Sequence, residues 1–130
     1  MPQKQYIAIF TAKAVRLIAW RDVLYFDYDK TAQTWLLHTG DGHCCKLRKG
    51  VTAEQILGWH TELVRANKGC VVNADQIDSI EYATLQCTLR TGGVRLAFSR
   101  SCYDVLRTLY RVILLAYFFA CLRIDIFVCV

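Results

Sequence analysis

The chain has 130 residues, of which 55% are apolar and 12% aromatic. This length fits one domain with a substantial core, and the composition excludes a largely disordered chain. Sixteen Lys and Arg against eleven Asp and Glu give a formal charge of +5. That surplus favours polyanionic partners such as nucleic acid without requiring them.

The seven cysteines are an odd number and include no Cys-x-x-Cys pair. The first five residues lead into a strand-like segment instead of an apolar signal core. We therefore expect a cytoplasmic protein whose thiols are free and mostly buried. The common zinc and thioredoxin-like spacings are absent from the sequence.

The first half of the chain has the pattern of β-strands. Five runs rich in β-branched and aromatic residues predict strands at Tyr6–Phe10, 15–18, Val23–Asp29, Thr34–Thr39 and 43–49. Asp41-Gly42 between the last two favours a hairpin, because glycine accepts the positive φ that the turn needs. Strict alternation predicts that Val23, Tyr25 and Asp27 share one face of their strand and that the residues between them occupy the other.

The pattern changes at residues 53–66, where it becomes helical. Apolar side chains recur at i, i+1, i+7 and i+8, namely Ile56, Leu57, Leu63 and Val64. Thr52 and Gln55 have the spacing of a capping box at the start of this helix. Gly69 is suited to end it.

Strands return at 70–72, 77–82, 84–90 and 94–98, and Thr91-Gly92-Gly93 joins the last two as a hairpin. Ser99 or Ser101 is expected to cap a final helix, with Ser101 and Asp104 as the better box. The predicted buried stripe of that helix comprises Val105, Leu106, Leu109, Val112 and Ile113. The order of strands, helix, strands and helix predicts one mainly β domain.

The domain is expected to span residues 1–111, with residues 112–130 as an apolar C-terminal helical extension. Residues 112–122 are eleven uncharged and strongly apolar residues. A membrane-spanning helix needs about twenty, so a packed or partner-covered helix is favoured over a membrane contact, which stays open as an alternative.

An enzyme is disfavoured by the sequence. His38, His43 and Cys44 flank one hairpin, but neighbours in a strand point to opposite faces and the spacing matches no common metal site. The sequence has no phosphate-binding glycine loop and no Ser/His/Asp arrangement. We therefore expect no catalytic residues, no metal and no cofactor.

Two basic turns favour a binding function instead. Arg65 and Lys68 precede a β-branched strand, and Arg100 lies between a strand and a helix start. Each taken alone suits an ordinary solvated surface, since cations also stabilise helix C-termini. An arginine held between two rigid elements nevertheless has the shape to contact guanine edges or phosphates.

Taken in order, these segments resemble the LytTR family, the DNA-binding output domain of many bacterial response regulators. The resemblance spans roughly residues 7–110. It is carried by Asp22-Val23-Leu24-Tyr25-Phe26, His38-Thr39-Gly40-Asp41-Gly42, residues 64–73, Ile77-Asp78-Ser79-Ile80, Leu89-Arg90-Thr91-Gly92-Gly93 and Ser99-Arg100-Ser101-Cys102-Tyr103.

The chain departs from the family's usual motif F-x-R-x-H-R-S-x-x-V-N. Leu63 stands for Phe, Asn67 for His, Lys68 for Arg and Gly69 for Ser. A lysine cannot make the bidentate contact of an arginine, so the preferred DNA sequence is expected to differ from that of typical members.

The resemblance implies stacked antiparallel β-sheets with a central amphipathic helix and a C-terminal helix, and loops that enter the major groove of double-stranded DNA. It places Gln33, Lys68 and Arg100 in the base-facing loops. It makes Lys30, Arg65 and Asn67 candidates for phosphate or neighbouring contacts. Asn73 is assigned to scaffolding.

The resemblance also implies binding to direct repeats and a role in transcription regulation. Few residues precede the first strand, so we expect no attached receiver domain. A homodimer through the last helix and its apolar extension is a hypothesis. The rival interpretation is a protein-interaction module that is tethered by the tail and does not bind DNA.

Overall fold

The computed structural model describes residues 5–10 and 13–109. The ten strands in these ranges are β1 Tyr6–Phe10, β2 Val15–Ala19, β3 Val23–Asp29, β4 Thr34–Thr39, β5 Cys44–Lys46, β6 Leu63–Asn67, β7 Cys70–Asn73, β8 Ile77–Ile80, β9 Gln86–Leu89 and β10 Arg95–Ala97. Helix α1 spans Ala53–Leu57, and helix α2 is described over residues 100–109. The predicted strands are confirmed in order, most of those after Thr39 being shorter than predicted.

Three antiparallel sheets build the domain. The central sheet has five strands in the order β5-β4-β3-β7-β6, while β8, β9 and β10 form a second sheet and β1 pairs with β2 in a third. One core, containing Phe26 and Ile56, joins the central sheet to β1–β2 and α1. A second core, containing Val72 and Leu106, joins it to the three-stranded sheet and α2. The predicted mainly β fold with stacked antiparallel sheets is confirmed.

The alternation predicted for β3 is wrong at its start. The pairing of β3 with β4 shifts register between Val23 and Tyr25. Val23 consequently packs in the same core as Phe26, and Leu24 packs in the other core together with Tyr25. A β-bulge of this kind adds one residue to a strand and reverses the faces of the residues before it.

The predicted helix over 53–66 is correct only for its first part. The Thr52–Gln55 capping box is confirmed, but the helix ends at Leu57 and Gly58 is its C-cap. Leu63–Asn67 is the edge strand β6, and Gly69 lies in the turn after it. Leu63 and Val64 are both apolar because the two faces of β6 contact different cores, not because they share a helical face.

Of the two caps predicted for the last helix, Ser99 is confirmed and the preference for Ser101 is wrong, while the predicted buried stripe is only partly correct. Ser99, and not Ser101, caps α2, since its hydroxyl accepts a hydrogen bond from the Cys102 amide at 3.2 Å. Leu106 is buried, whereas Val105 and Leu109 are exposed.

The rest of the predicted stripe, at Val112 and Ile113, and the predicted extension over 112–130 lie outside the described residues. Among residues 5–10 and 13–109, none of the helices has the length and hydrophobicity that spanning a bilayer requires.

Candidate nucleic-acid interface

Three turns meet at one end of the central sheet. β3 runs antiparallel to both β4 and β7, so the turn at residues 30–33 and the turn at residues 68–69 lie at the same end. The Tyr28 amide, near the end of β3, donates a hydrogen bond to the Gly69 carbonyl at 2.9 Å. This bond fixes the turn at residues 68–69 beside the strand that leads into the turn at residues 30–33.

The junction between β10 and α2 is attached to the same place. The Ser99 amide donates to the Ala66 carbonyl at 2.8 Å, and the Asn67 side-chain amide donates to the Ala97 carbonyl at 2.7 Å. The exposed Arg100 therefore starts its helix beside the turn that carries Lys68. The structure thus brings together the three segments that sequence reasoning selected.

The turn at residues 30–33 is stabilised by Asp29, the residue that precedes it. The Asp29 carboxylate accepts hydrogen bonds from the amides of Thr31, at 2.9 Å, and Ala32, at 3.3 Å. Gln33 then adopts a left-handed backbone with φ of 54°, a conformation that costs a non-glycine residue about 1 kcal/mol or more. Lys30 and Gln33 are both exposed, so this turn presents one cation and one amide to solvent.

The turn at residues 68–69 is braced by two side chains predicted to contact DNA. The Arg65 guanidinium donates to the carbonyls of Asn67, at 3.3 Å, and Lys68, at 3.2 Å, and it pairs with Glu54 at 3.3 Å. The Asn67 side-chain oxygen accepts from the Gly69 amide at 2.9 Å. These internal bonds occupy Arg65 and Asn67, while the Lys68 side chain stays exposed.

Sequence reasoning missed two further cations at this end. The Leu47 amide pairs with the Trp35 carbonyl at 2.9 Å, and the Thr34 hydroxyl donates to the Leu47 carbonyl at 2.6 Å. This anchors the start of the loop after β5 beside the turn at residues 30–33. The exposed Arg48 and Lys49 follow immediately. The basic run of residues 46–49 was the available signal.

Asn73 lies at the opposite end of the central sheet and is buried. Its side-chain amide donates to the carbonyls of Trp20, at 3.1 Å, and Val23, at 2.9 Å. Its oxygen accepts from the Asp75 amide at 3.2 Å. The prediction that Asn73 scaffolds the fold is confirmed.

The histidines near the β4–β5 hairpin have carboxylate partners. His38 lies 2.6 Å from Asp27, and His43 lies 2.8 Å from Asp41. Hydrogen bonds from Thr39 and His43 hold the pKa of Asp41 well below its usual range. Within residues 5–10 and 13–109, no three His, Cys, Asp or Glu side chains gather into a metal-binding group.

The family model of the LytTr DNA-binding domain matches residues 13–111. A domain described as the LytTr DNA-binding domain of a methyl-accepting/DNA response regulator from Bacillus cereus is similar in fold. It has a TM-score of 0.61 and 16% identity, over 82% of this chain and 97% of that one. No curated protein matches. The family match covers most of the chain, which therefore belongs to the LytTr DNA-binding domain family.

Proposed function

We propose that this domain regulates transcription by inserting the three turns at one end of its central sheet into the major groove of double-stranded DNA. Membership of a DNA-binding domain family supports binding at the coarse level. The observation that carries the finer proposal is the convergence of the segments at residues 30–33, 68–69 and 98–100, which the backbone hydrogen bonds Tyr28–Gly69 and Ser99–Ala66 support.

In this proposal some of the exposed side chains at the turns contact base edges and others contact phosphates. Gln33, Lys68 and Arg100 reach base edges, where amides, ammonium groups and guanidinium groups recognise donor and acceptor patterns. Lys30, Arg48 and Lys49 contact phosphates, which supply affinity and set the register on the duplex.

Arg65 and Asn67 have a different role in the proposal, which is to position Lys68. Their polar atoms already bind the backbone of the turn at residues 68–69. The Arg65 guanidinium uses three of its five N–H donors on two carbonyls and a carboxylate, so two donors remain for any direct contact with a phosphate.

We expect two copies to occupy direct repeats spaced by one or two helical turns, because the turns of one copy cover only a short stretch of one groove. Each copy would contribute its own phosphate contacts. The salt dependence of binding should therefore be steeper on the repeat than on a single half-site.

Substitution of Arg100 tests the proposal. Arg100→Ala should weaken binding to the preferred sequence by about 1–3 kcal/mol and bring the affinities for specific and scrambled duplexes closer together. Fluorescence anisotropy titrations at two or more salt concentrations measure both quantities.

Arg107→Ala is the matched control, since it removes the same charge from an exposed position of α2 where Arg107 faces Asp104 at 4.0 Å. It should leave the ratio of specific to scrambled affinity unchanged. If Arg100→Ala also leaves that ratio unchanged, the proposed reading by Arg100 is wrong.

A further inference from the structure

The β1–β2 hairpin is apolar on its outer face, and its inner face is apolar except for Arg16. Ile7, Ile9 and Ile18 point inward and are buried in the first core. The outer face consists of Tyr6, Ala8, Phe10, Val15, Leu17 and Ala19. A sheet that covers a core on one side and meets water on the other normally carries polar residues outside, so this outer face is unusual.

These outward side chains form one continuous patch. Phe10 lies directly across from Val15, and Ala8 from Leu17. Phe10 is 77% exposed and Leu17 69% exposed. With side-chain areas of roughly 150–250 Å² for the aromatic members, the patch measures on the order of 500 Å², which is the size at which apolar patches mark interaction sites.

We propose that the outer face of β1–β2 is the contact through which two copies of this chain form a dimer. The outer face carries no charged side chain, so its partner must be another uncharged apolar surface, and a second copy supplies one of the same size. The small Ala8 and Ala19 leave space beside the large Phe10, and facing patches can interdigitate there.

The buried area suits a dimer of limited strength. Two such patches would together bury about 1,000 Å², the lower bound for specific interfaces. The contact should therefore dissociate on dilution through the micromolar range. Because it is apolar, it should be nearly insensitive to salt.

Leu109, the last described residue, lies near the edge of the central sheet that is opposite this patch. Arg16 on the hairpin reaches Cys45 of β5 at 3.2 Å, and β5 is one edge of the central sheet. Leu109 instead lines an apolar groove with Val64 of β6, the opposite edge. Four strand spacings, about 19 Å in all, separate the two edges.

The base of the hairpin lies away from the turns proposed for DNA. Ala19 leads through the turn Trp20–Asp22 into the start of β3, so the base of the hairpin is at the end of the sheet opposite residues 30–33. Face-to-face packing of identical patches is two-fold symmetric. Neighbouring copies on one direct repeat are related by translation and not by a two-fold axis. The two copies of this dimer would therefore bind to two separate DNA sites instead of to the two halves of one repeat.

Sedimentation equilibrium of the full chain without DNA tests the dimer. The wild-type chain should change from monomer to dimer across the micromolar range. Leu17→Glu should weaken the dimer at least about tenfold, since facing glutamates would be desolvated next to one another. Val105→Glu is the matched control, because Val105 is also 69% exposed but lies on α2.

Each outcome decides the proposal. A wild-type chain that stays monomeric at 100 times the lowest concentration tested overturns it. A dimer that is lost in Val105→Glu but kept in Leu17→Glu also overturns it. Binding of wild-type monomer to lipid vesicles that is lost in Leu17→Glu also overturns it, in favour of a membrane surface. If Leu17→Glu does not fold, Phe10→Ser replaces it. DNA affinity for a single half-site should be equal in the wild type and both glutamate variants, so failure of the dimer is distinguishable from failure of DNA binding.

Discussion

Asn67 links two of the turns proposed to read DNA, and its replacement tests whether it positions those turns or contacts DNA itself. Asn67→Ala removes the acceptor of the Gly69 amide and the donor to the Ala97 carbonyl. Each of these bonds contributes about 0.5–1.5 kcal/mol, so the free energy of unfolding should fall by about 1–3 kcal/mol. The melting temperature should fall by roughly 4 °C for each kcal/mol.

The same substitution should weaken DNA binding indirectly. Lys68 and Arg100 would have to be ordered on binding, at a cost of about 0.5–1.5 kcal/mol for each side chain, and the two together correspond to a loss of affinity of roughly 5- to 150-fold. Urea unfolding followed by circular dichroism measures the first effect, and anisotropy titration with a specific duplex measures the second.

Asn67→Asp separates the two bonds in the unfolding experiment. Its carboxylate keeps an acceptor for the Gly69 amide but cannot donate to the Ala97 carbonyl, so its stability should lie between those of the wild type and Asn67→Ala. The variant serves for stability only, since its negative charge also repels DNA. An Asn67→Ala protein with wild-type stability and a large loss of DNA affinity would refute the positioning role and indicate direct contact.

Two further predictions concern buried groups away from the turns. Asn73→Ala should lower the free energy of unfolding by about 2–4 kcal/mol, because it leaves the Trp20 and Val23 carbonyls without their donor; a loss below about 1 kcal/mol in urea unfolding would contradict this. Burial raises the pKa of the Cys70 thiol from 9.0 to about 12. The folded state therefore favours the neutral thiol, and the associated stability is complete below pH 9 and is lost as the pH rises toward 12. Unfolding free energies measured across that range should fall less steeply in Cys70→Ala than in the wild type, and parallel profiles would contradict the assignment.

The strands were predictable because each has β-branched or aromatic residues bounded by turn residues. The sequence β3–turn–β4, for example, contains the complete strands Val23–Asp29 and Thr34–Thr39. The face assignment within β3 was not predictable, since a bulge such as the one at Val23/Tyr25 depends on how the partner strand β4 pairs.

The prediction of one continuous helix over residues 53–66 was wrong for a comparable reason. Hydrophobic spacing cannot distinguish a continuous helical face from a short helix followed by a strand that is covered on both sides. Leu63 and Val64 belong to such a strand, whose backbone pairs with β7. That pairing depends on tertiary contacts, which the local spacing of apolar residues does not indicate.

The candidate site was partly predictable. Lys68 and Arg100 were selected from local pattern and family resemblance, and the structure places their turns together. The hydrogen bond from Asn67 to the Ala97 carbonyl joins residues 30 positions apart, so no local pattern indicated that Asn67 would be occupied internally. Arg48 and Lys49 were overlooked, although the predicted hairpin of residues 34–39 and 43–49 already implied that they lie at this end, where Leu47 pairs with Trp35.

The most direct test of the central claim is an amide NMR titration of the wild-type chain with a duplex selected from a random pool. The account predicts that the largest shift changes fall on residues 30–33, 48–49, 68–69 and 99–100, with small changes on β1 and β2. Changes concentrated on the β1–β2 hairpin or around Asn73, with the three turns unaffected, would contradict it.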